Sequence, residues 1–532
     1  MKNRQGVAAL CVIILTMQPL LSACGQKAVP SVRPGQTGTS TAGSAEKKAE
    51  FQKQLEQFNA DHIAEGGKMP EGTIIDYEEP LPEKDVGFTE KELESLTDYK
   101  KAAQPSDSAL ISPAQAKVDT ELFFRVLKYC YGPYRYFGGD AKFGKAKVAV
   151  LSEIPVKNIS TRCLEDILIQ NLGFVQDVHF TIGDRHFADF SVYLHSEAAE
   201  YAKDASGYYK TENGKKYYVA LVDGKDPAEF MKLSISPGGK LVYYVGGLYG
   251  LKQVNEQKKL PSVTVSYRSG GTSDTLQFPQ WVSPDDKPGE GFRKSELGGV
   301  PVVSIRRFMD NDAKDTACED FAASGSALKG KKVMILDLRG NGGGNDEYAI
   351  NWIKNFTSKW SGKSAIAWNQ ITLQSRAGEY IFSKFMLSLP KVTENVKLEA
   401  KSAMEAYRNG KNQWNLNQFL FHSQTDNNSL ICVLMDKNNA SSGEDVISFL
   451  SNLKNVVLVG TNTAGCMIGN VAVSFVLPNS RLNVACANWL ESFNSDVFTE
   501  GVGLKPDIWD ASGKTDRLLA MLRYYHLTDA AK

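Results

Sequence analysis

The stretch VMILDLRGNGGGNDEYAINWI, residues 333–353, decides how this chain is read. VMIL has the continuous apolar character of a buried strand, and DEYAINWI opens a helix. Between them, Asp337-Leu338-Arg339 runs into a loop with three consecutive glycines, Gly342, Gly343 and Gly344. A loop almost free of side chains lets another group approach its backbone closely. Two chemistries use that exposure. One is an anion cradle at a helix N-terminus. The other is an oxyanion hole, in which the same N–H groups stabilise a developing alkoxide. The anion cradle fits poorly. No Lys-Ser or Lys-Thr pair follows the glycines, and the run GNGGGN from Gly340 puts Asn345 where the third glycine of a dinucleotide fingerprint belongs. Glycines alone also suit a plain strand-to-helix turn.

A second stretch, DKNNASSGEDVISFL at 436–450, follows the apolar run LICVLM and leads into another helix. A small-residue loop that exposes serines at a helix N-terminus can carry a nucleophile, whose alkoxide benefits from the helix dipole. Ser441 followed three residues later by Glu444 also fits a capping box, and alone it reads as one.

Strands and helices alternate around these stretches from about residue 298: GGVPVVSIRRF, CEDFAASGSAL, KVMILDL, DEYAINWI, SLICVLMD, SSGEDVISFLSNL, NVVLVGT. Such alternation predicts an α/β core with parallel pairings. Residues 361–428 interrupt the rhythm as a long, helical, partly apolar insertion or lid. Residues 118–185 read as a helical region. Residues 186–297 read as strands and turns, with Asn213-Gly214 between tyrosine-rich flanks as a hairpin signal. The expected class is therefore mixed α+β overall: a helical N-terminal region, a β-rich middle, an α/β core over 298–515 and a tail at 516–532.

The N-terminus has a basic start, an apolar middle and the small-residue run LSAC at 21–24, the pattern of a secretory signal over 1–23. LSAC resembles a bacterial lipobox, which implies cleavage before Cys24 and a lipid on its sulfur. Residues 24–50 are rich in Gly, Ser, Thr, Pro and Ala and read as a flexible tether. Residues 51–117 read as a charged, partly helical extension. The expected location is the extracytoplasmic side of the cell membrane, held by the lipid anchor. The 61 basic and 61 acidic residues balance, with no basic stripe to recruit nucleic acid. The six cysteines beyond Cys24 are scattered without metal-site spacing, and Cys432 and Cys486 sit in apolar runs as buried small hydrophobes; neither a metal nor a cofactor is expected.

DLRGNGGG, then SSGED after a strand, then VVLVGTNTAG, together resemble the tail-specific, or C-terminal processing, protease family and its tricorn-like relatives. The resemblance spans roughly 298–510 and, more weakly, 118–185. It implies a crotonase-like (ClpP/crotonase) core, a polypeptide substrate and Ser441 as nucleophile. It also implies an oxyanion hole made by the N–H of Gly342 or Gly343 with that of Ser442. The carboxylate-binding loop of the PDZ domain that many members carry is missing from 186–297. The processing proteases use a lysine base, and here Cys466 falls in that slot. The tricorn-like branch uses His and Glu instead. GFVQDVHFTIGD resembles its Asp-x-His motif and offers His179, with Val178 where some members carry serine. TEGVGLKPDIW resembles the closing motif and offers Glu500.

Serine needs a base that titrates near neutrality, and a carboxylate behind that base fixes its tautomer. Ser441, His179 and Glu500 fill those roles, with activity expected to rise through about pH 6 to 7. His186 is the decoy, while Asp177 and Asp337 read as structural. Lys437 and Lys505 read as solvated loop residues held as reserve bases. The competing readings are a Ser-Lys dyad with a lysine from elsewhere and an inactive, peptide-binding lipoprotein.

Overall fold

The computed structural model describes residues 41–70, 87–97, 102–183, 185–256, 261–268, 272–279, 281, 291–310, 314–359, 367–388, 394–409 and 414–528. Cys24 and its lipobox lie outside the described residues. The fold is mixed α+β.

Among the described residues its spine is a sheet of 13 strands, and the core's strands form the parallel run within it. Val300–Ile305, Val333–Asp337, Leu430–Met435, Val456–Gly460 and Ile508–Trp509 lie side by side in that order, each parallel to the next. They read as continuous Val/Ile/Leu runs because both faces of a parallel sheet are covered. One face packs on the helices Ala317–Leu328, Glu347–Thr357 and Ser442–Ser451, through Phe321, Trp352, Ile353, Val446 and Ile447. The other is covered by the helices Thr41–Gly66 and Thr515–Tyr524, through Phe51, Leu55, Phe58, Leu518 and Leu522.

The β-rich middle continues this sheet rather than standing apart: Trp509 pairs with Ser234 of Met231–Ile235, which pairs in turn with Leu241–Gly250. The Asn213-Gly214 hairpin is present, both residues at positive φ (49° and 74°), as a primed turn requires. A second sheet contains Asn483–Ser492 with Gly469–Val476 and the short strand Thr181–Ile182. Behind it the helices Pro113–Cys130, Gly139–Glu153 and Thr161–Asn171 form an aromatic-rich core with Phe123, Tyr131, Phe143 and Phe180. Ser112 and Ser160 cap the first and third of these helices.

Two sequence expectations change. The stretch 361–428 is not simply helical: Gln370–Ser375 and Trp414–Phe419 pair antiparallel, and the former also pairs with Asn483–Ser492. The helix Thr41–Gly66 claims ten residues of the expected tether and the first 16 of the extension, because Phe51, Leu55 and Phe58 line one helical stripe that the sheet buries. Among the described residues no helix is long and apolar enough to cross a membrane.

Candidate active site

Three neighbouring parallel strands, Val333–Asp337, Leu430–Met435 and Val456–Gly460, end on the same edge of the sheet. The loops that leave them converge there, as ligand-handling loops of α/β sheets do. Asparagines stitch them together. Asn341 accepts the Ala440 N–H on its carbonyl (3.1 Å), and Asn439 Nδ2 donates to Leu338 O (2.5 Å). Asn439 O accepts from Ala464 N (2.8 Å). Both asparagines are fully buried.

Arg339 anchors the glycine loop. Asp337 takes Nε and Nη2 of Arg339 and a bidentate grip from Arg306. Burial alone would raise the Asp337 carboxyl, but the two guanidinium groups outweigh it and hold the group down at about 2. This is the structural role the sequence suggested.

Ser441 stands at the tight turn into its helix with φ 53° and ψ −130°. That is a strained conformation for a residue with a side chain, as expected of a nucleophile held on a sharp strand-to-helix turn. Its N–H donates to Glu444 Oε2 (3.2 Å), while its Oγ faces His179 Nε2 at 3.4 Å. Gly343 is wedged against it: a Cβ there would lie 3.0 Å from Ser441 Cβ and 2.8 Å from Ala440 O. The Gly343 N–H is already donated to Asn341 Oδ1 (2.9 Å). Among the described residues, the N–H groups of Gly342 and Ser442 have no acceptor. Ser442 has a further contact that sequence did not indicate: its hydroxyl donates to Gly344 O (2.9 Å), tying the helix to the glycine loop.

His179 sits in the turn between the helix Thr161–Asn171 and the strand Thr181–Ile182. Asp177 shapes that turn, accepting the His179 N–H (2.8 Å) and the Tyr131 hydroxyl (2.8 Å). Burial of the imidazole, followed by repulsion from His186, lowers its pKa to about 4. An imidazole so lowered would place the acid limb of activity below the pH 6 to 7 of an ordinary histidine. His186 is not an alternative base; its Nδ1 faces Val178 O (3.3 Å).

Glu500 does not hydrogen-bond to the imidazole ring. Its Oε1 accepts from Val178 N (3.0 Å), and its Oε2 accepts from Met467 N (3.2 Å) and Ile468 N (2.9 Å). The carboxylate spends its lone pairs on backbone donors on both sides of the imidazole, so it positions the two segments that hold His179. The neighbour of the ring is Cys466, whose Sγ is 3.3 Å from Nδ1 and 3.4 Å from Nε2. Burial and then the Glu500 and Glu444 carboxylates push the Cys466 thiol well above its ordinary pKa, so it is a neutral thiol.

Two further residues emerge only in three dimensions. Glu444 is completely buried and accepts from Thr463 Oγ1, Gly465 N (2.9 Å) and Cys466 N (2.7 Å), which locks the third loop to the nucleophile helix. Lys437 is not a solvated loop residue. It is 8% exposed, its Nζ donates to Ala464 O (3.1 Å), and it lies 4.3 Å from the centre of the Phe190 ring. Burial lowers its pKa to about 8 against the pull of Glu444. Sequence could not place it because Phe190 and Ala464 come from distant segments. For Lys505 the exposed-loop reading stands. Among the described residues, no group of three or more His, Cys, Asp and Glu is arranged to hold a metal ion.

A serine on a strained turn with an imidazole facing its oxygen is an arrangement that serine hydrolases use. Residues 299–509 match the model of peptidase family S41. Solved structures that align with this chain include mature CPAF, at 14% identity and a TM-score of 0.39, over 78% of this chain and 96% of that one. A photosystem II D1 C-terminal processing protease aligns at 14% identity and 0.33, over 78% and 98% of the two chains. A putative peptidase from Parabacteroides merdae aligns at 15% and 0.36, over 77% and 93%. No curated protein matches the sequence.

Proposed function

We propose that the protein is an exported, lipid-anchored peptidase that cleaves polypeptides at Ser441, with His179 as the base. The 3.4 Å approach of His179 Nε2 to Ser441 Oγ on a strained turn carries this reading. The imidazole is neutral at physiological pH and ready to take the hydroxyl proton as the oxygen attacks a peptide carbonyl. For Nε2 to accept, Nδ1 must carry the ring hydrogen, and Cys466 Sγ lies beside both ring nitrogens, 3.3 Å from Nδ1 and 3.4 Å from Nε2. The carbonyl oxygen, as it becomes an oxyanion, is taken by the free N–H groups of Gly342 and Ser442, and each such donor lowers the barrier by on the order of 3 kcal/mol. Glu500 acts through the backbone at Val178 and Met467-Ile468 and keeps the base in place. The anchor reading, on the extracytoplasmic face of the membrane, is supported by LSAC and Cys24.

A second reading has its own observation. Lys437 is buried near the site with a pKa of about 8, as an amine base requires. Cleavage of a quenched-fluorescent peptide by single variants separates the two. Loss in Ser441→Ala and His179→Ala with activity retained in Lys437→Met supports the histidine base; loss in Lys437→Met with activity retained in His179→Ala overturns it. Fractionation tests the anchor: Cys24→Ala should release the protein from membranes or block its processing.

A further inference from the structure

One cluster of buried charges beside the nucleophile is not used by the chemistry above. Asp445 lies one turn beyond Ser441 on the same helix, its N–H bonded to the Ser441 carbonyl (3.1 Å). Asp346 follows the glycine loop directly, two residues after Gly344. Glu491 comes from the strand Asn483–Ser492, whose backbone binds Ile468 O just past Cys466 (2.8 Å). The three carboxylates repel one another: Asp445 is raised by burial and then by Glu491, Asp346 and Glu444. Burial, offset in part by Asn470 and reinforced by Asp346, lifts Glu491 to about 7. Among the described residues, none of the three has a Lys, Arg or His partner, and the Asp445 carboxylate, 9% exposed, has no hydrogen-bond partner either.

An independent feature points into the same cluster. Thr372 stands directly opposite Glu491 in the antiparallel ladder, so both side chains leave the same face of the sheet. Thr372 is 2% exposed and its Oγ1 has no hydrogen-bond partner. Buried hydroxyls are ordinarily satisfied, so an orphan beside uncompensated carboxylates marks a place where a donor is missing. Asn470, which donates to Glu491 Oε1 (2.8 Å), closes the group.

We propose that Asp445, Glu491 and Asp346, with Thr372, form the subsite that binds a basic side chain, lysine or arginine, of the peptide substrate beside the scissile bond. An ammonium or guanidinium supplies both the countercharge for the acids and the donor for Thr372 Oγ1. A flexible basic side chain suits acids that do not converge on one point as a metal site would require. This inference rests on the peptidase reading and specifies its substrate class.

The test uses one quenched-fluorescent peptide scaffold with lysine, arginine or norleucine at each position within two residues of the cleaved bond. At one position the intact protein should cleave the basic peptides at least tenfold better in kcat/KM than the norleucine peptide. Asp445→Asn, Glu491→Gln and Thr372→Val should each pull that ratio toward one. Binding of the same peptides to Ser441→Ala reads the subsite without turnover and should show the same preference. Equal handling of lysine and norleucine by wild type in both assays overturns the subsite, as does an unchanged ratio in all three variants. Saturable stabilisation by calcium or zinc that Asp445→Asn abolishes overturns it in favour of a metal site. If no peptide is cleaved and Ser441 takes no fluorophosphonate, the peptidase reading fails, while binding to Ser441→Ala still decides the subsite.

Discussion

Two adjacent glycines should differ sharply in their response to alanine. Gly343 has φ +101°, and a Cβ there would lie 2.8 Å from Ala440 O and 3.0 Å from both Ser441 Cβ and Ser442 N. Carbon–carbon contacts are comfortable at about 3.5 Å or more, so the nucleophile turn must retreat by roughly 0.5 Å. The 3.4 Å separation from His179 then passes beyond hydrogen-bonding range. Forcing alanine into that backbone region costs about 1–3 kcal/mol in addition. Gly343→Ala should therefore lose about 10²-fold or more in kcat/KM. Its melting temperature should drop by about 2–4 °C per kcal/mol of strain. Gly342 meets nothing within 4 Å, and its N–H survives substitution. Gly342→Ala should keep its melting temperature within about 1 °C and lose far less activity, because alanine fits there without displacing a neighbour. Peptide-cleavage kinetics and thermal melts on both variants decide the matter. Near-normal cleavage by Gly343→Ala, or a larger loss in Gly342→Ala, would refute the wedge argument.

Ser442→Ala should keep substantial activity because its N–H remains, and should lose about 1 kcal/mol of stability with the bond to Gly344 O (2.9 Å), read by urea denaturation. With His179 lowered to about 4, a pH profile of kcat/KM should stay level from neutrality down to about pH 5.5 and fall only below that; a limb near 8 would point to Lys437 instead. His186→Ala removes a repulsion and should move that acid limb upward. The Asp337 carboxyl is depressed to about 2, so its contribution of about 2–3 kcal/mol is present above about pH 4 and lost as pH falls through 2. Asp337→Asn should accordingly be destabilised at pH 7 and differ little from wild type at pH 2, measured by urea titration at both.

The glycine loop and the serine turn are legible in sequence because each is a local pattern: an apolar run, small residues, then a helix. The parallel core follows from the same alternation. What escaped depends on partners far along the chain. Glu444 reads as a helix cap until Thr463, Gly465 and Cys466 close on it. Lys437 looks solvated until Phe190 and Ala464 cover it. Glu500 satisfies every rule for a carboxylate behind histidine, yet the three backbone donors around it claim its oxygens first. The apolar spacing of Phe51, Leu55 and Phe58 could have revealed the first helix, but its Gly/Ser/Thr-rich start imitates a linker. Gln370–Ser375 is too short an alternation to stand out inside a helical stretch.

The central claim is that His179 activates Ser441, and labelling by a fluorophosphonate probe with the modified residue identified by mass spectrometry tests it most directly. Wild-type protein should be labelled on Ser441, and His179→Ala, shown to be folded by its melting curve, should not be labelled. Labelling on Ser442, or undiminished labelling of Ser441 in His179→Ala, would contradict it.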